Sequence, residues 1–263
     1  MKLTILGAAG VRTPLIVQEI ITRQDALGIK ELWLMDVDAE RLELIGAITM
    51  LLESDPAVKF RIHRSTKAED ALRGADYVIT TFRVGGIDSR VIDERVAVDL
   101  GYIGQETTGA GGFAMGLRSI PVLLAYVEQM KTLCPNAWLI NFANPSGMLA
   151  EAVASVGGWQ RAVGICDGPS GMISTIADSL LLYESQIQAE YFGLNHLGWI
   201  RSVKVGEEEL IGQILAFLAQ EEEVPGYDVR PQVAAALGML PNYYLKYYYQ
   251  SREEFAHMKS AAE

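Results

Sequence analysis

Positive charge is scarce in this sequence. It has 22 lysines and arginines but 33 aspartates and glutamates, which gives a formal net charge of −11 at pH 7. Nucleic acids and anionic membrane surfaces are bound mainly by basic surfaces. We therefore expect neither as a partner, and an anionic substrate needs positive charge gathered locally.

Cysteine and long apolar runs are also scarce. The two cysteines, Cys134 and Cys166, are too few for a disulfide framework and suit a reducing cytosol. No apolar run approaches the ~18 residues of a membrane span, and the N-terminus resembles a strand rather than a signal peptide. The chain is nevertheless 50% hydrophobic, enough for a large core. These features predict a cytoplasmic protein that spans no membrane.

A strand that runs into small residues opens the chain. Leu3–Leu6 leads into Gly7, and a helical apolar pattern begins at Leu15. A strand that turns at small residues into a helix is the first half of a βαβ unit, where a pyrophosphate can approach the backbone. Only the first glycine of G-x-G-x-x-G is in place, and such residues also serve packing alone. The predicted cofactor-binding residues here are Gly7, Ala8, Ala9, Gly10 and Val11.

Acidic residues follow the second predicted strand. Leu32–Met35 is followed by Asp36 and, two residues later, by Asp38. A carboxylate at this position can accept hydrogen bonds from the adenosine ribose, and it favours NAD over NADP because it repels a 2′-phosphate. The alternative is that both aspartates only cap the helix that starts at Ala39. We expect Asp38 to cap the helix and Asp36 to bind the ribose of NAD.

Strands and helices alternate along most of the chain. The patterns predict helices over 15–27 and 39–53, and a glycine-dense loop over 101–112 before a long helix. Such alternation predicts an α/β fold with a Rossmann-like, doubly wound, mostly parallel sheet, whose ligands lie beyond the strands' carboxyl ends. We expect an NAD-binding domain with catalytic loops over 1–200. A mainly helical substrate domain over 201–263 follows, with a helix at 207–220, and it is expected to be truncated.

Two residues at strand ends have metal-binding chemistry. Cys166 follows one predicted strand and His196 follows another. A thiolate and an imidazole can share a divalent metal, with water or substrate oxygens completing the shell. They form no local metal motif, however. A small buried cysteine and a core histidine are the alternatives.

Other polar residues have two interpretations each. Asn144 is either a ligand for a substrate hydroxyl or a turn residue, and Asp167 is either an acid–base group or a helix cap. Arg83 and Arg90 suit anion binding or surface ion pairs. The tyrosines between Tyr243 and Tyr249 have helical spacing, which predicts mostly core positions.

Five motifs occur in a fixed order along the chain. They are Val84-Gly85-Gly86 with Arg90, Gly104-Gln105-Glu106-Thr107, Asn141-Phe142-Ala143-Asn144-Pro145, Gly164-Ile165-Cys166-Asp167-Gly168-Pro169 and Gly193-Leu194-Asn195-His196. This series closely resembles glycoside hydrolase family four, the NAD- and metal-dependent glycosidases, and it looks most like the 6-phospho-β-glucosidase branch. The similarity covers nearly the whole chain. This family is an exception to hydrolysis by two carboxylates.

The resemblance implies roles for individual residues. Cys166 and His196 would hold Mn²⁺, Tyr244 matches the family's catalytic base, and Asp167 falls near the leaving oxygen. Arg90 and Asn144 match positions that contact the sugar. The implied reaction is hydrolysis of a phosphorylated disaccharide or glucoside through oxidation at C3, deprotonation at C2 and elimination. Family likeness also implies a homo-oligomer, a dimer or a tetramer.

The sequence departs from the family's pattern at several points. The turn at Gly7 is poorer in glycine than in many relatives and lacks the serine often found near Val11, where Arg12 is a possible substitute. Asp167 stands where β-glucoside enzymes of this branch usually carry asparagine and α-glucoside enzymes carry aspartate. Members are also longer and carry a further phosphate-binding arginine beyond this length. The alternatives are a 6-phospho-α-glucosidase or α-galactosidase, a 2-hydroxyacid dehydrogenase, and an inactive nucleotide-binding fragment.

Overall fold

The chain divides into two compact units that alternate along the sequence. The computed structural model describes residues 1–261. One unit comprises Met1–Arg90 and Gly112–Ile165, and the other comprises Val91–Gly111 and the chain from Cys166 onward. The sequence-based division into domains over 1–200 and 201–263 stays a prediction.

The first unit is built on a six-stranded sheet. The strand order is β3-β2-β1-β4-β5-β6, and every neighbouring pair is parallel. This confirms the predicted Rossmann-like, doubly wound α/β class. The strands are β1 Lys2–Leu6, β2 Glu31–Met35, β3 Arg61–Ser65, β4 Tyr77–Thr80, β5 Trp138–Asn141 and β6 Ala162–Gly164. The helices that follow them are α1 Thr13–Thr22, α2 Gln24–Leu27, α3 Ala39–Glu53, α4 Ala68–Leu72, α5 Gly86–Asp99, α6 Gly109–Leu133 and α7 Ser146–Ser155. Most of α5 and the first residues of α6 belong to the second unit.

Both faces of this sheet are buried. Ile5 packs into one apolar cluster with Val17 of α1, whereas Leu6 packs into another with Leu123 of α6. Adjacent residues of a strand point to opposite faces, so these two clusters are the two sides of a doubly wound sheet. The central strands β1 and β2 are accordingly apolar along most of their length. The edge strand β3 is largely polar instead.

Two predicted elements of this unit differ from the structure. The single helix expected over 15–27 is two helices, because Arg23 leaves the helical region at φ −104° and ψ 11°. Helix α6 begins at Gly109, inside the predicted loop 101–112. The Gln105 side-chain oxygen accepts hydrogen bonds from the Thr107 and Thr108 N–H groups, which ends the loop early.

Helix α6 also corrects the expectation about apolar runs. By length and composition it could cross a membrane, since one window within it has a mean hydropathy of 1.4. Its Leu123, Val127 and Met130 are nevertheless fully buried in the core of the first unit. Central helices of folded cores commonly have this composition.

The second unit combines helices with a small antiparallel sheet. Its strands run in the order β10-β8-β7, with β9 paired to β8. They are β7 Ile187–Leu194, β8 Leu197–Val205, β9 Glu208–Glu209 and β10 Leu240–Pro241. The helices are α8 Gly168–Ser179, α9 Ile211–Leu218, α10 Pro231–Leu237, α11 Lys246–Tyr249 and α12 Ser251–Ala261, with short 3-10 turns at Glu184–Gln186 and Tyr243–Leu245.

The helix predicted over 207–220 is shorter than expected. Glu209 belongs to β9, and its carboxylate accepts hydrogen bonds from the N–H groups of Val203 and Ile211. Those bonds hold the chain against β8 and delay the helix to Ile211. The core of this unit lies between the sheet and its helices, where Ile200 packs with Met172.

Candidate active site

The turn after β1 admits only glycine at its first position. Gly7 has φ +94°, and an added Cβ would lie 2.3 Å from the backbone nitrogen of Phe82. Its N–H and that of Ala8 both donate to the Met35 carbonyl, at 2.9 and 3.0 Å. The turn is thus fixed against β2 and β4, and its small residues leave the backbone close to the sheet edge.

Asp36 contacts this turn directly. Its Oδ2 accepts a hydrogen bond from the Ala9 N–H at 2.9 Å, and its Oδ1 accepts one from the Asp38 N–H at 3.1 Å. Asp38 caps α3 by accepting from the Arg41 N–H at 3.0 Å, as predicted. The two aspartates therefore have different partners. The hydrogen bond from Ala9 links the turn to Asp36, whereas Asp38 belongs to the start of α3.

The start of α1 fits a phosphate group. Arg12 occupies the N-cap position but makes no side-chain capping hydrogen bond, and Pro14 lies in the first turn. The positive dipole end of a helix favours an anion, although here the Thr13 N–H already donates to the Gly10 carbonyl at 3.0 Å and Pro14 has no N–H. Gly10 and the exposed Val11 complete the segment. These observations fit NAD, while the roles of the five predicted turn residues and Asp36 stay predictions.

Cys166 and His196 meet in the second unit. The Cys166 Sγ lies 3.4 Å from the His196 Nε2, although the residues are 30 positions apart. Cys166 follows shortly after β6, and His196 occupies the two-residue turn between β7 and β8 with φ +68°. A positive φ costs a non-glycine residue about 1–2 kcal/mol. The turn holds the imidazole in place despite that cost, and the ring is only 3% exposed.

This pair fits a divalent transition metal. Bonds of about 2.3 Å to sulfur and about 2.1 Å to nitrogen place two ligands of one shell roughly 3.5 Å apart, close to the observed spacing. Burial lowers the pKa of His196 to about 4, against the opposing charges of Glu106 and Asp167, and the neutral ring is the form that binds metals. Among residues 1–261, no group of three or more His, Cys, Asp or Glu residues is arranged to hold an ion. Other ligands would have to come from substrate or water.

Tyr244 stacks on the imidazole of His196. The ring centroids are 3.6 Å apart and the planes differ by 8°. Asn242 fixes this segment, because its Oδ1 accepts from the Tyr244 N–H and its own N–H donates to the Gly198 carbonyl. Burial raises the pKa of the Tyr244 phenol above its usual range. A cation beside the ring would oppose this effect of burial, because it favours the charged phenolate.

Asp167 lies beside the thiol. Its Oδ1 is 3.8 Å from the Cys166 Sγ. It occupies the N-cap position of α8, but its side chain makes no capping hydrogen bond, so the capping alternative does not account for it. The structure thus brings four of the predicted residues together: Cys166, His196, Tyr244 and Asp167.

The predicted sugar contacts belong to the first unit. Arg90 is a half-buried residue of α5, and Asn144 lies half-buried between β5 and α7. Their roles stay predictions.

One neighbour of the pair had no role in the sequence-based prediction. The Thr107 hydroxyl lies 2.8 Å from the His196 Nδ1, and Gln105 contacts the Thr107 hydroxyl in turn. The residues belong to one of the recognised motifs, but no periodicity or spacing connects position 107 to position 196. Only the fold reveals the contact.

Comparison with known proteins gives consistent results. The family described as "Family 4 glycosyl hydrolase" matches residues 2–182, and "Family 4 glycosyl hydrolase C-terminal domain" matches residues 191–263. The 6-phospho-beta-glucosidase of Escherichia coli (strain K12) is 35% identical over 97% of this chain and 59% of its own length. The chain therefore spans about three-fifths of that curated relative.

Solved structures agree with this result. The 6-phospho-beta glucosidase from Thermotoga maritima, with manganese, NAD+ and glucose-6-phosphate, matches 99% of this chain and 63% of its own at 30% identity and a TM-score of 0.89. A 6-phospho-alpha-glucosidase from gut microorganisms, in complex with NAD and Mn2+, matches 97% of this chain and 62% of its own at 29% identity and a TM-score of 0.89. The chain belongs to glycosyl hydrolase family 4.

Proposed function

We propose that the protein hydrolyses 6-phosphorylated glucosides, using NAD as a redox cofactor and Mn²⁺ or another divalent metal. The observation that carries the proposal is the pairing of the Cys166 Sγ and the His196 Nε2 at 3.4 Å, with Tyr244 stacked on the imidazole. A simple dehydrogenase does not need such a pair. The E. coli relative is a 6-phospho-beta-glucosidase, and the T. maritima enzyme was solved with manganese, NAD+ and glucose-6-phosphate, which supports the same reaction.

The first unit would bind the dinucleotide. The turn from Gly7 to Val11 and the start of α1 would hold the pyrophosphate, and Asp36 would accept hydrogen bonds from the ribose hydroxyls. The Ala9 N–H already fixes the Asp36 carboxylate at 2.9 Å. A fixed carboxylate loses little freedom when a ligand binds.

The second unit would carry out the proton transfers. Cys166 and His196 would hold the metal. When bound, NAD accepts a hydride from C3 of the sugar and the metal polarises the resulting ketone, which acidifies the adjacent C2–H. Tyr244 would take that C2 proton as the C1–oxygen bond breaks, and Asp167 would give a proton to the leaving oxygen. Water would then add at C1 and give a proton back to Asp167, while Tyr244 would return its proton to C2; return of the hydride to C3 would complete the hydrolysis.

Substrate recognition would rely on the first unit as well. Arg90 can grip an anionic or hydroxyl-rich group bidentately, and Asn144 can hydrogen-bond a sugar hydroxyl. We favour the β-glucoside, after the name of the E. coli relative. Asp167 matches the α-glucoside pattern instead, so 6-phospho-α-glucosides are the second candidate. We also propose a cytoplasmic homo-oligomer.

The test compares chromogenic 6-phospho-α- and 6-phospho-β-glucosides. Each is mixed with the protein, NAD⁺, Mn²⁺ and a reductant, and release of the chromophore is followed. We expect release that stops on addition of a chelator and is restored by Mn²⁺, without net accumulation of NADH. Net NADH formation with a hydroxyacid would indicate a dehydrogenase, and nucleotide binding without turnover of either glucoside would refute the proposed reaction.

A second measurement addresses the C2 step. Substrate deuterated at C2 should react more slowly or lose its label to solvent, because Tyr244 removes that hydrogen as a proton. Hydrolysis at the normal rate with full retention of the label would exclude proton abstraction at C2.

A further inference from the structure

The loop before α6 contains a hydrogen-bonded chain that ends on the metal-binding histidine. The Gln105 Oε1 lies 2.7 Å from the Thr107 Oγ1, and the Thr107 Oγ1 lies 2.8 Å from the His196 Nδ1. Gln105 and His196 are 6% and 3% exposed. Thr107 between them is half-buried. Water therefore has little access to the two ends of this chain of contacts, so the Gln105 oxygen and the His196 ring take hydrogen-bond partners from the protein.

The first link has an unambiguous direction. The Gln105 Oε1 accepts hydrogen bonds from two backbone N–H groups, those of Thr107 at 2.6 Å and Thr108 at 2.9 Å. Only a carbonyl oxygen can accept these bonds, so the amide cannot be flipped. The atom that faces the Thr107 hydroxyl is therefore a pure acceptor.

The second link follows from the first. A hydroxyl has one hydrogen, and at 2.7 Å from a carbonyl oxygen the Thr107 hydroxyl satisfies that contact by donating to Gln105. Its lone pair then faces the His196 Nδ1, which must carry the ring proton to make a hydrogen bond at 2.8 Å. In a neutral imidazole this leaves the lone pair on Nε2.

We infer that Gln105 and Thr107 fix the tautomer of His196, so that its Nε2 presents a lone pair toward the Cys166 Sγ. In this tautomer the thiol can donate to Nε2 across the 3.4 Å contact, and a metal ion can replace the thiol proton without any movement of the ring proton. The importance of this tautomer for metal binding rests on the proposed function. Gln105 and Thr107 are positioning residues, because they act through His196.

The packing of the loop supports a fixed relay. A Cβ added at Gly111 would lie 2.5 Å from the backbone carbonyl oxygen of Gln105, and one added at Gly104 would lie 2.3 Å from the backbone carbonyl oxygen of Glu94. The two ends of the segment are thus packed closely against backbone. Such packing holds the backbone on both sides of Thr107 in place.

The tautomer can be read directly by nitrogen NMR. Two-bond ¹H–¹⁵N correlation spectra of the metal-free, ¹⁵N-labelled chain at slightly alkaline pH distinguish the Nδ1–H from the Nε2–H form. The chain has three histidines, and a His196→Gln variant identifies the signals of His196. We expect the Nδ1–H form in the wild type. The Nε2–H form there would overturn the inference at once.

Variants test the cause. Thr107→Val keeps the shape but removes the hydroxyl, and we expect the Nδ1–H form to give way to a mixture or to the Nε2–H form. Thr107→Ser should restore the wild-type spectrum. Thr108→Val is the matched control, because the Thr108 hydroxyl approaches only the Gln105 Oε1, at 3.3 Å. An unchanged tautomer in Thr107→Val would overturn the inference.

Mn²⁺ binding gives the functional readout. Free Mn²⁺, measured by electron paramagnetic resonance during titration, should show about 10- to 100-fold weaker binding in Thr107→Val and wild-type binding in Thr107→Ser and Thr108→Val. Wild-type Mn²⁺ affinity in Thr107→Val would overturn the link to metal binding. A wild-type chain that binds no Mn²⁺ would instead refute the proposed function, while the NMR spectra would still decide the relay.

Discussion

The turn after β1 and the Cys166–His196 pair are assembled in different ways. The turn and Asp36 come from neighbouring strands of one βαβ unit, and backbone contacts hold them, such as the Gly7 N–H to the Met35 carbonyl. The pair depends on side chains from segments far apart in the sequence, such as Thr107, His196 and Tyr244.

This difference predicts how each region responds to mutation. The turn is sensitive to added volume, because backbone atoms approach it closely. The Cys166–His196 pair is sensitive to a change of chemical group, because a transition metal needs the thiolate and the imidazole themselves as ligands. The variants below separate these two kinds of dependence.

Cys166→Ser should have the largest effect. A hydroxyl is a poor ligand for a transition metal compared with a thiolate, so we expect Mn²⁺-dependent turnover to fall by more than about 10³-fold. NAD⁺ affinity, measured by calorimetry, should not change, because the turn lies in the other unit. Unchanged turnover would show that Cys166 binds no metal.

The matched control for this variant is Cys134→Ser. Cys134 is 3% exposed in the core of the first unit, and burial raises the pKa of its thiol to about 11, which marks it as an inert core residue. Serine there should cost about 1–3 kcal/mol of unfolding free energy, because a hydroxyl is buried. Turnover by the folded fraction should stay normal.

Gly7→Ala should have the next largest effect, which we expect on the free energy of unfolding. The added Cβ would meet the Phe82 backbone at 2.3 Å, at a residue with φ +94°. Strain and displacement together should cost about 3 kcal/mol or more, measured by urea unfolding. Gly10→Ala is the control, since its Cβ would meet nothing nearer than the Gly7 carbonyl oxygen at 3.5 Å. Equal losses in the two variants would contradict the proposed tight turn.

The sequence predicted these two regions to different extents. Gly7, the strand before it and helix 39–53 follow from local patterns, because one βα unit contains the interactions that define them. Strand-end position and ligand chemistry suggested the pairing of Cys166 with His196. Resemblance to a family was needed to favour it over ordinary core positions, since no local spacing connects the two residues. The break at Arg23 and the Glu209 hydrogen bonds were missed because exposed polar residues are also common in helices, and no local pattern distinguishes these two positions.

Asp36→Asn should have a moderate effect, confined to the nucleotide. The Asp36 carboxylate would accept hydrogen bonds from ribose hydroxyls, and such bonds to a charged group contribute about 1.5–3 kcal/mol. We expect NAD⁺ affinity to fall about tenfold or more, and discrimination against NADP⁺ to weaken because the repelling charge is gone. Mn²⁺ affinity should not change. Wild-type NAD⁺ affinity would remove Asp36 from the cofactor site.

Asp38→Ala should have the smallest effect, and it should lower stability rather than NAD⁺ affinity. Asp38 lies two residues from Asp36, but its carboxylate accepts from the Arg41 N–H at 3.0 Å and so caps α3. Loss of an N-cap costs about 1 kcal/mol, which urea unfolding can resolve, while NAD⁺ affinity should stay within twofold of the wild type, roughly the scatter expected of a distant change. Asp38→Asn should recover most of the stability, because an amide oxygen also caps. A loss of NAD⁺ affinity equal to that of Asp36→Asn would contradict this separation. It would mean that both aspartates act in the cofactor site, although only Asp36 contacts the turn after β1.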